Sequence, residues 1–157
     1  MNFKLAFVYV GAILCANWSA ATFGPAITPV NAFLFIGLDL ALRNWLGASY
    51  TRLQMLTLIL VGGAASYAIN INAGPIAVAS TVAFFVSALI DWSVFKIAKG
   101  TWLARSMGGV TAGAAADSII FPTIAFGGFM LNIVALQFAA KVAGGFVWSL
   151  LIKKVAR

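Results

Sequence analysis

The composition of this chain of 157 residues excludes an ordinary water-soluble domain. Hydrophobic residues make up 63% of it and charged residues only 8%, against about 45–50% and 25% in soluble domains. With a single Cys and no His, the chain cannot form an internal disulfide, a histidine-activated nucleophile or most kinds of zinc site. We therefore expect a membrane protein that is not an enzyme and that carries no cofactor.

Six apolar segments follow one another along the chain, and Pro, Gly and polar residues separate them. A membrane-spanning helix needs about 20 apolar residues. Because backbone groups in lipid must be bonded internally, the segments predict helices. We expect an all-α polytopic membrane protein, with residues 1–157 forming a single transmembrane domain. A signal peptide is the alternative for the first segment. The predicted helices are residues 3–21, 29–43, 53–71, 76–95, 106–126 and 129–152.

The basic residues predict how these helices are oriented. Nine of the ten lie at the two ends of the chain or in the second and fourth connections. Because cytoplasmic loops are enriched in Lys and Arg, both termini are expected on the cytoplasmic side of the membrane. The net charge of +7 is then explained by basic residues that orient the helices in a lipid bilayer. We therefore expect no nucleic-acid partner. The nine residues are Lys4, Arg43, Arg52, Lys96, Lys99, Arg105, Lys153, Lys154 and Arg157.

Four charged residues remain within or near the predicted spans, where a charge costs about 2.5–3.5 kcal/mol and marks a candidate functional site. Asp117 and Lys141 each lie 12 residues from a basic helix end, about 18 Å at the helical rise. They are a candidate buried ion pair, structural or ligand-binding, between neighbouring helices. Asp39 precedes Arg43 by four residues, a spacing that also suits a local ion pair. Asp91, near a cytoplasmic end, has an interfacial position as its alternative.

Three uncharged residues complete the candidate binding set. Asn17 and Asn132 each offer donors and acceptors that suit the edge of a purine-like ring, although such residues often form helix–helix hydrogen bonds. Trp92 adjoins Asp91 and offers a surface on which a flat ligand can stack. Small residues at four-residue spacing, such as Gly109 and Gly113, predict close helix packing.

Three groups of residues resemble motifs of the vitamin uptake transporter family, the queuosine precursor transporters. Residues of the first and sixth segments, Ala16-Asn17 and Lys141-Val142, also fit that family. The resemblance implies a six-helix inner-membrane transporter for cyano- and aminomethyl-deazaguanines. The three groups are Asp39-x-x-x-Arg43-x-x-x-Gly47 through Arg52, then Ser87-Ala88-Leu89-Ile90-Asp91-Trp92, and finally Arg105-Ser106 with Asp117-Ser118, Phe121 and Ile124-Ala125-Phe126-Gly127.

We accordingly expect a secondary transporter whose substrate is a deazaguanine base. A carboxylate can accept two adjacent N–H groups of such a ring, and Asp117 or Asp91 is expected to do so. One alternative is the substrate-binding subunit of an energy-coupling-factor transporter, in which the stripe Ala12, Ala16 and Ala20 would dock a partner's helices. A homo-oligomer is a further possibility. A holin-like pore protein is the second alternative.

Overall fold

The computed structural model describes residues 3–23, 27–70 and 75–155. Within these ranges the chain forms helices joined by short connections and contains no β-strand, which confirms the all-α prediction for the described part. Each predicted segment corresponds to one helix. The helices are α1 (Phe3–Phe23), α2 (sections Thr28–Asn31, Ala32–Ile36 and Gly37–Ser49), α3 (Arg52–Asn70), α4 (Pro75–Ile97), α5 (Trp102–Phe126) and α6 (Leu131–Val155).

Helix α2 differs most from the prediction. Its middle section, Ala32–Ile36, is π-helical, and its last section continues to Ser49. The predicted end at Arg43 and the predicted polar connection from Asn44 are therefore wrong. The side chains of Arg43 and Asn44 are buried and hydrogen-bonded within the chain. The helix can therefore continue through these two polar residues.

Side chains and one glycine define several helix ends. Thr51 and Gln54 form a reciprocal capping box at the start of α3, in which each side chain accepts a bond from the other's backbone N–H. The Thr101 hydroxyl accepts a hydrogen bond from the Ala104 N–H and caps α5. Because α5 starts there, Arg105 lies in its first turn and not in the predicted basic loop. Gly127 ends α5 with a left-handed φ of 70°, as the predicted turn requires.

Three helices in the described part are long and apolar enough to cross a membrane: Val78–Ile97, Trp102–Phe126 and Leu131–Lys154. A shorter apolar helix covers Ala6–Ala16. Large apolar side chains such as Phe7 and Leu53 are exposed on the outside of the fold. These features fit a membrane protein. The prediction of six spans with cytoplasmic termini remains a prediction.

Glycines allow the helices to approach closely. A Cβ added to Gly113 of α5 would lie 2.8 Å from the Asp91 Cβ, and one added to Gly109 would meet the Asp91 side chain. One added to Gly144 of α6 would meet the Phe33 carbonyl in the π-helical section. The predicted close packing at Gly109 and Gly113 is confirmed, as is the proximity of α5 and α6.

The main apolar core joins α1, α2, α3 and α4. It includes Tyr9, Leu42, Met55 and Phe84. Ala12 and Ala16 of the predicted docking stripe are also buried, so these two residues pack against the rest of this chain. The third member of the stripe, Ala20, lies outside the described side chains.

Candidate functional site

The first polar cluster is centred on the ammonium group of Lys141 in α6. Lys141 is only 2% exposed. Its Nζ donates to Asp117 Oδ2 at 2.5 Å, to Gln137 Oε1 at 2.9 Å and to Ser118 Oγ at 3.1 Å. An ammonium has three N–H donors, so these bonds use all of them. The predicted ion pair between Asp117 and Lys141 is confirmed.

This cluster forms one wall of a pocket between the helices. The pocket contains about 480 Å³ not filled by protein atoms, counting the part that opens to the surroundings. Asp117, Gln137 and Lys141 supply polar groups, Phe121 supplies an aromatic surface, and Asn31 and Ile36 contribute from α2. A concave, mostly apolar space with a few convergent polar groups is the usual form of a small-molecule site.

Two polar atoms of this wall remain available for a ligand. The Lys141 ammonium can only donate, so the Gln137 oxygen must face it and the Gln137 NH2 group must point elsewhere. Within the described part of the chain that NH2 group makes no hydrogen bond, and neither does Oδ1 of Asp117. The Asp117 side chain is 18% exposed. Two side chains that line the pocket and bind the same ammonium therefore carry an unbonded acceptor and an unbonded donor.

Asn31, which also lines the pocket, is held in place by bonds to α1. Its Oδ1 accepts a hydrogen bond from Ser19 Oγ at 2.8 Å, and its Nδ2 donates to the Ala16 carbonyl at 3.2 Å. These bonds join α2 to α1 just before the π-helical section. The side chain is 5% exposed, and its amide orientation is fixed by these two partners.

A second polar cluster surrounds Arg43 of α2. The guanidinium donates through Nη2 to Asp39 and through Nη1 to Asp91 Oδ2 at 3.4 Å. It also lies 5.3 Å from the centroid of the Phe84 ring, within cation–π distance. Asn44 Nδ2 donates to Asp91 Oδ1 at 2.8 Å. These bonds join α2 to α4 inside the protein.

The Arg43 cluster corrects two predictions and confirms one. Arg43 is 1% exposed, so its assignment as an orienting charge in a cytoplasmic connection is wrong. Asp91 is fully buried, so the interfacial alternative for it is also wrong. The ion pair between Asp39 and Arg43 is confirmed. The guanidinium attracts each carboxylate, whereas the two carboxylates repel each other.

The structure divides the predicted binding residues among four places. Asp117 and Lys141 line the pocket, whereas Asp39 and Asp91 meet through Arg43. Trp92 packs against the apolar core, and its buried indole N–H has no bond in the described part. Asn132 is exposed at the beginning of α6. The Asn17 side chain lies outside the described residues.

Three polar residues were not predicted, of which Gln137 and Asn44 belong to the two clusters and Asn31 lines the pocket. Gln137 precedes Lys141 by four residues, and this helical spacing is a signal that identifies it. Asn44 directly follows Arg43, but its partner Asp91 is distant in sequence. Asn31 has no comparable signal, because its partners Ser19 and Ala16 lie on another helix and become neighbours only through tertiary packing.

Comparison with known proteins places the chain in one family. The family model described as "Putative vitamin uptake transporter" matches residues 5–153, a range that includes both polar clusters. This match confirms the family resemblance of the three sequence motifs. Searches of curated proteins and of solved structures gave no match.

Proposed function

We propose that this chain, which belongs to the vitamin uptake transporter family, imports a queuosine precursor, a deazaguanine base, by secondary transport. The observation that supports this substrate is the pairing of a free Asp117 oxygen with a free Gln137 amide N–H at the pocket wall. One edge of a guanine-type ring carries N–H donors beside a carbonyl acceptor. Enzymes that flip a base out of a nucleic-acid stack recognise it by hydrogen bonds along that edge and by stacking on its face.

Each pocket residue has a distinct role in this proposal. The free Asp117 oxygen accepts an N–H group of the ring, and charge makes this bond stronger than a neutral one. Gln137 donates to the ring carbonyl, while Phe121 contacts the flat face of the ring. Lys141 has no donor left for the substrate, so it positions Asp117 and Gln137.

We further propose that all six helices cross the inner membrane and that both termini are cytoplasmic. Arg52, Lys96, Lys99, Lys153 and Lys154 are exposed at or near helix ends, which supports the orientation expected from the positive-inside rule. Arg43 is no longer one of the basic residues that orient the helices. Basic and uncharged connections still alternate without it, because Arg52 marks the second connection.

Uptake by intact cells tests the substrate assignment. Cells that cannot synthesise the precursor should accumulate labelled 7-cyano-7-deazaguanine when they express this chain. The Asp117→Ala variant should not, because the pocket loses its carboxylate. The Gln54→Glu variant is the control, since Gln54 is exposed at the start of α3. Failure of the native chain to take up the label, or normal uptake by Asp117→Ala, would contradict the proposal.

Transport by the purified chain in liposomes separates this function from the alternative of a binding subunit. A chain that only captures substrate for an energised partner would bind the label without moving it. The burial of Ala12 and Ala16 removes part of the surface expected for such a partner. Retention of a second, unrelated small solute inside the same liposomes distinguishes a transporter from a pore.

A further inference from the structure

The Arg43 cluster contains more negative than positive groups. Asp39, Arg43 and Asp91 are each at most 2% exposed, and one guanidinium contacts both carboxylates. With both carboxylates ionised, these three residues carry one net negative charge away from water. An uncompensated buried charge is so costly that a group usually changes protonation instead.

Neighbouring helices supply no second cation to this cluster in the described part of the chain. Besides the three residues themselves, the titratable groups that act on Asp39 are Tyr9 of α1 and Asp117 of α5, and neither is positive. Helix α3 contributes apolar Met55 and Ile59 to the adjoining core. Helix α6 reaches the cluster region through an uncharged contact between Ser149 and Ser106, and its Lys141 is bonded to Asp117.

Unbonded oxygen atoms are a second, independent observation. Oδ1 of Asp39 and Oδ1 of Asn44 are buried and have no hydrogen-bond partner within the described residues, and the same holds for the Arg43 Nε–H and the Tyr9 hydroxyl. Buried polar atoms are nearly always bonded. A proton on one of the two carboxyl groups would supply an O–H donor and also remove the excess negative charge.

We propose that Asp39, Arg43 and Asp91 form a proton-binding site in which the two carboxyl groups share one proton, and that this proton drives import. The coupling half of this proposal rests on the proposed transport function. Because the carboxyl groups interact through one guanidinium, the proton belongs to the pair and not to either residue alone. Proton release leaves two carboxylates competing for Arg43.

Two helices connect the proton site to the substrate pocket. In α2, Ile36 lines the pocket and lies three residues from Asp39, about 4.5 Å along the axis. In α5, Gly113 abuts Asp91, and Asp117 lines the pocket one turn later. The π-helical section of α2 lines the pocket through Ala32 and Ile36, and such sections often occur at functional positions. A change in the carboxyl pair therefore reaches the pocket through both helices.

Infrared spectroscopy tests the proton site without any substrate. The chain has three Asp and no Glu, so the carbonyl stretch of a protonated carboxylic acid has few possible sources. In a detergent free of ester groups, native protein at neutral pH should show this band. Asp39→Asn and Asp91→Asn should each lose it, because the one remaining carboxylate balances Arg43. Asp117→Asn should keep it. Absence of the band from native protein, or its retention in either cluster variant, would overturn the site.

Transport in liposomes tests the coupling separately. An acidic exterior should raise accumulation of 7-cyano-7-deazaguanine by native protein at least severalfold over equal pH, and a protonophore should abolish the increase. Asp91→Asn should lose this response. Exchange of substrate at equal pH without any response to the gradient would overturn coupling while the transport function stands. Absence of exchange would refute the transport function and the coupling with it, and the infrared band would still decide the proton site.

Discussion

Lys141 Nζ lies 2.5 Å from Asp117 Oδ2, and this bond joins α6 to α5 at the wall of the pocket. The same ammonium holds Gln137 at 2.9 Å. A contact that stabilises two packed helices therefore also fixes two pocket-lining side chains, Asp117 and Gln137. Stability and substrate binding should be separable at this ion pair. Stability requires only that the charges of Asp117 and Lys141 balance, whereas binding requires the Asp117 carboxylate itself.

Asp117→Asn should lower the free energy of unfolding by about 3 kcal/mol, because it leaves Lys141 buried without a charged partner. The double variant Asp117→Asn with Lys141→Met should regain most of that loss, since it removes both charges. Denaturant unfolding in detergent measures the difference. A double variant no more stable than the single one would show that the ion pair is not the source of the effect.

Gln137→Glu should weaken binding of 7-cyano-7-deazaguanine about tenfold, the loss expected when a hydrogen-bond donor of the site becomes an acceptor. The new side chain keeps an oxygen for Lys141, so the fold should be retained. Ligand-dependent thermal stabilisation measures the affinity. Gln54→Glu makes the same chemical change at an exposed position and should leave affinity unaltered. Equal affinity of the Gln137→Glu and Gln54→Glu variants for this ligand would show that Gln137 does not contribute to the binding site.

The Lys141 pair shows which part of the site the sequence can predict. Helical rise is constant, so counting residues from the basic helix ends placed both charges at equal depth, and the short turn at Gly127 placed their helices side by side. The same reasoning failed at Arg43. A hydropathy pattern treats arginine as the end of a span, while its partner Asp91 lies 48 residues away and becomes a neighbour only through tertiary packing.

The helix order could likewise be predicted, because Pro, Gly and polar residues separate the apolar segments. The extent of α2 could not, since its continuation to Ser49 depends on buried partners for Arg43 and Asn44. Its π-helical section shifts the register of the residues that follow. Ile36 at the end of this section, and Asn31 before it, line the pocket without a periodic signal in the sequence.

Arg43→Met should reduce the free energy of unfolding by about 3–5 kcal/mol, the usual cost of removing one partner from a buried ionic group. Partial neutralisation of the two carboxylates should make the loss smaller at acidic pH. The matched control is Arg52→Met, at an exposed position, which should change stability by no more than about 0.5 kcal/mol. Similar unfolding curves for the two variants would contradict the assigned role of Arg43.

Gly144→Ala should destabilise the fold by about 1–3 kcal/mol, a typical cost of overpacking, because the added methyl group would meet the Phe33 carbonyl. It should also reduce uptake, since the π-helical section that it displaces adjoins the pocket. Gly11→Ala serves as the control: its Cβ would meet nothing within 4 Å. An Ala at position 144 that is tolerated as well as one at position 11 would exclude this close contact.

Exchange of labelled 7-cyano-7-deazaguanine into liposomes preloaded with the unlabelled base tests the central claim most directly. The assay needs only the purified chain, at equal pH on both sides. Native protein should exchange the label, and the charge-balanced Asp117→Asn, Lys141→Met double variant should remain folded without exchanging it. Absence of exchange by native protein, or equal exchange by the double variant, would contradict a deazaguanine transporter whose pocket depends on Asp117.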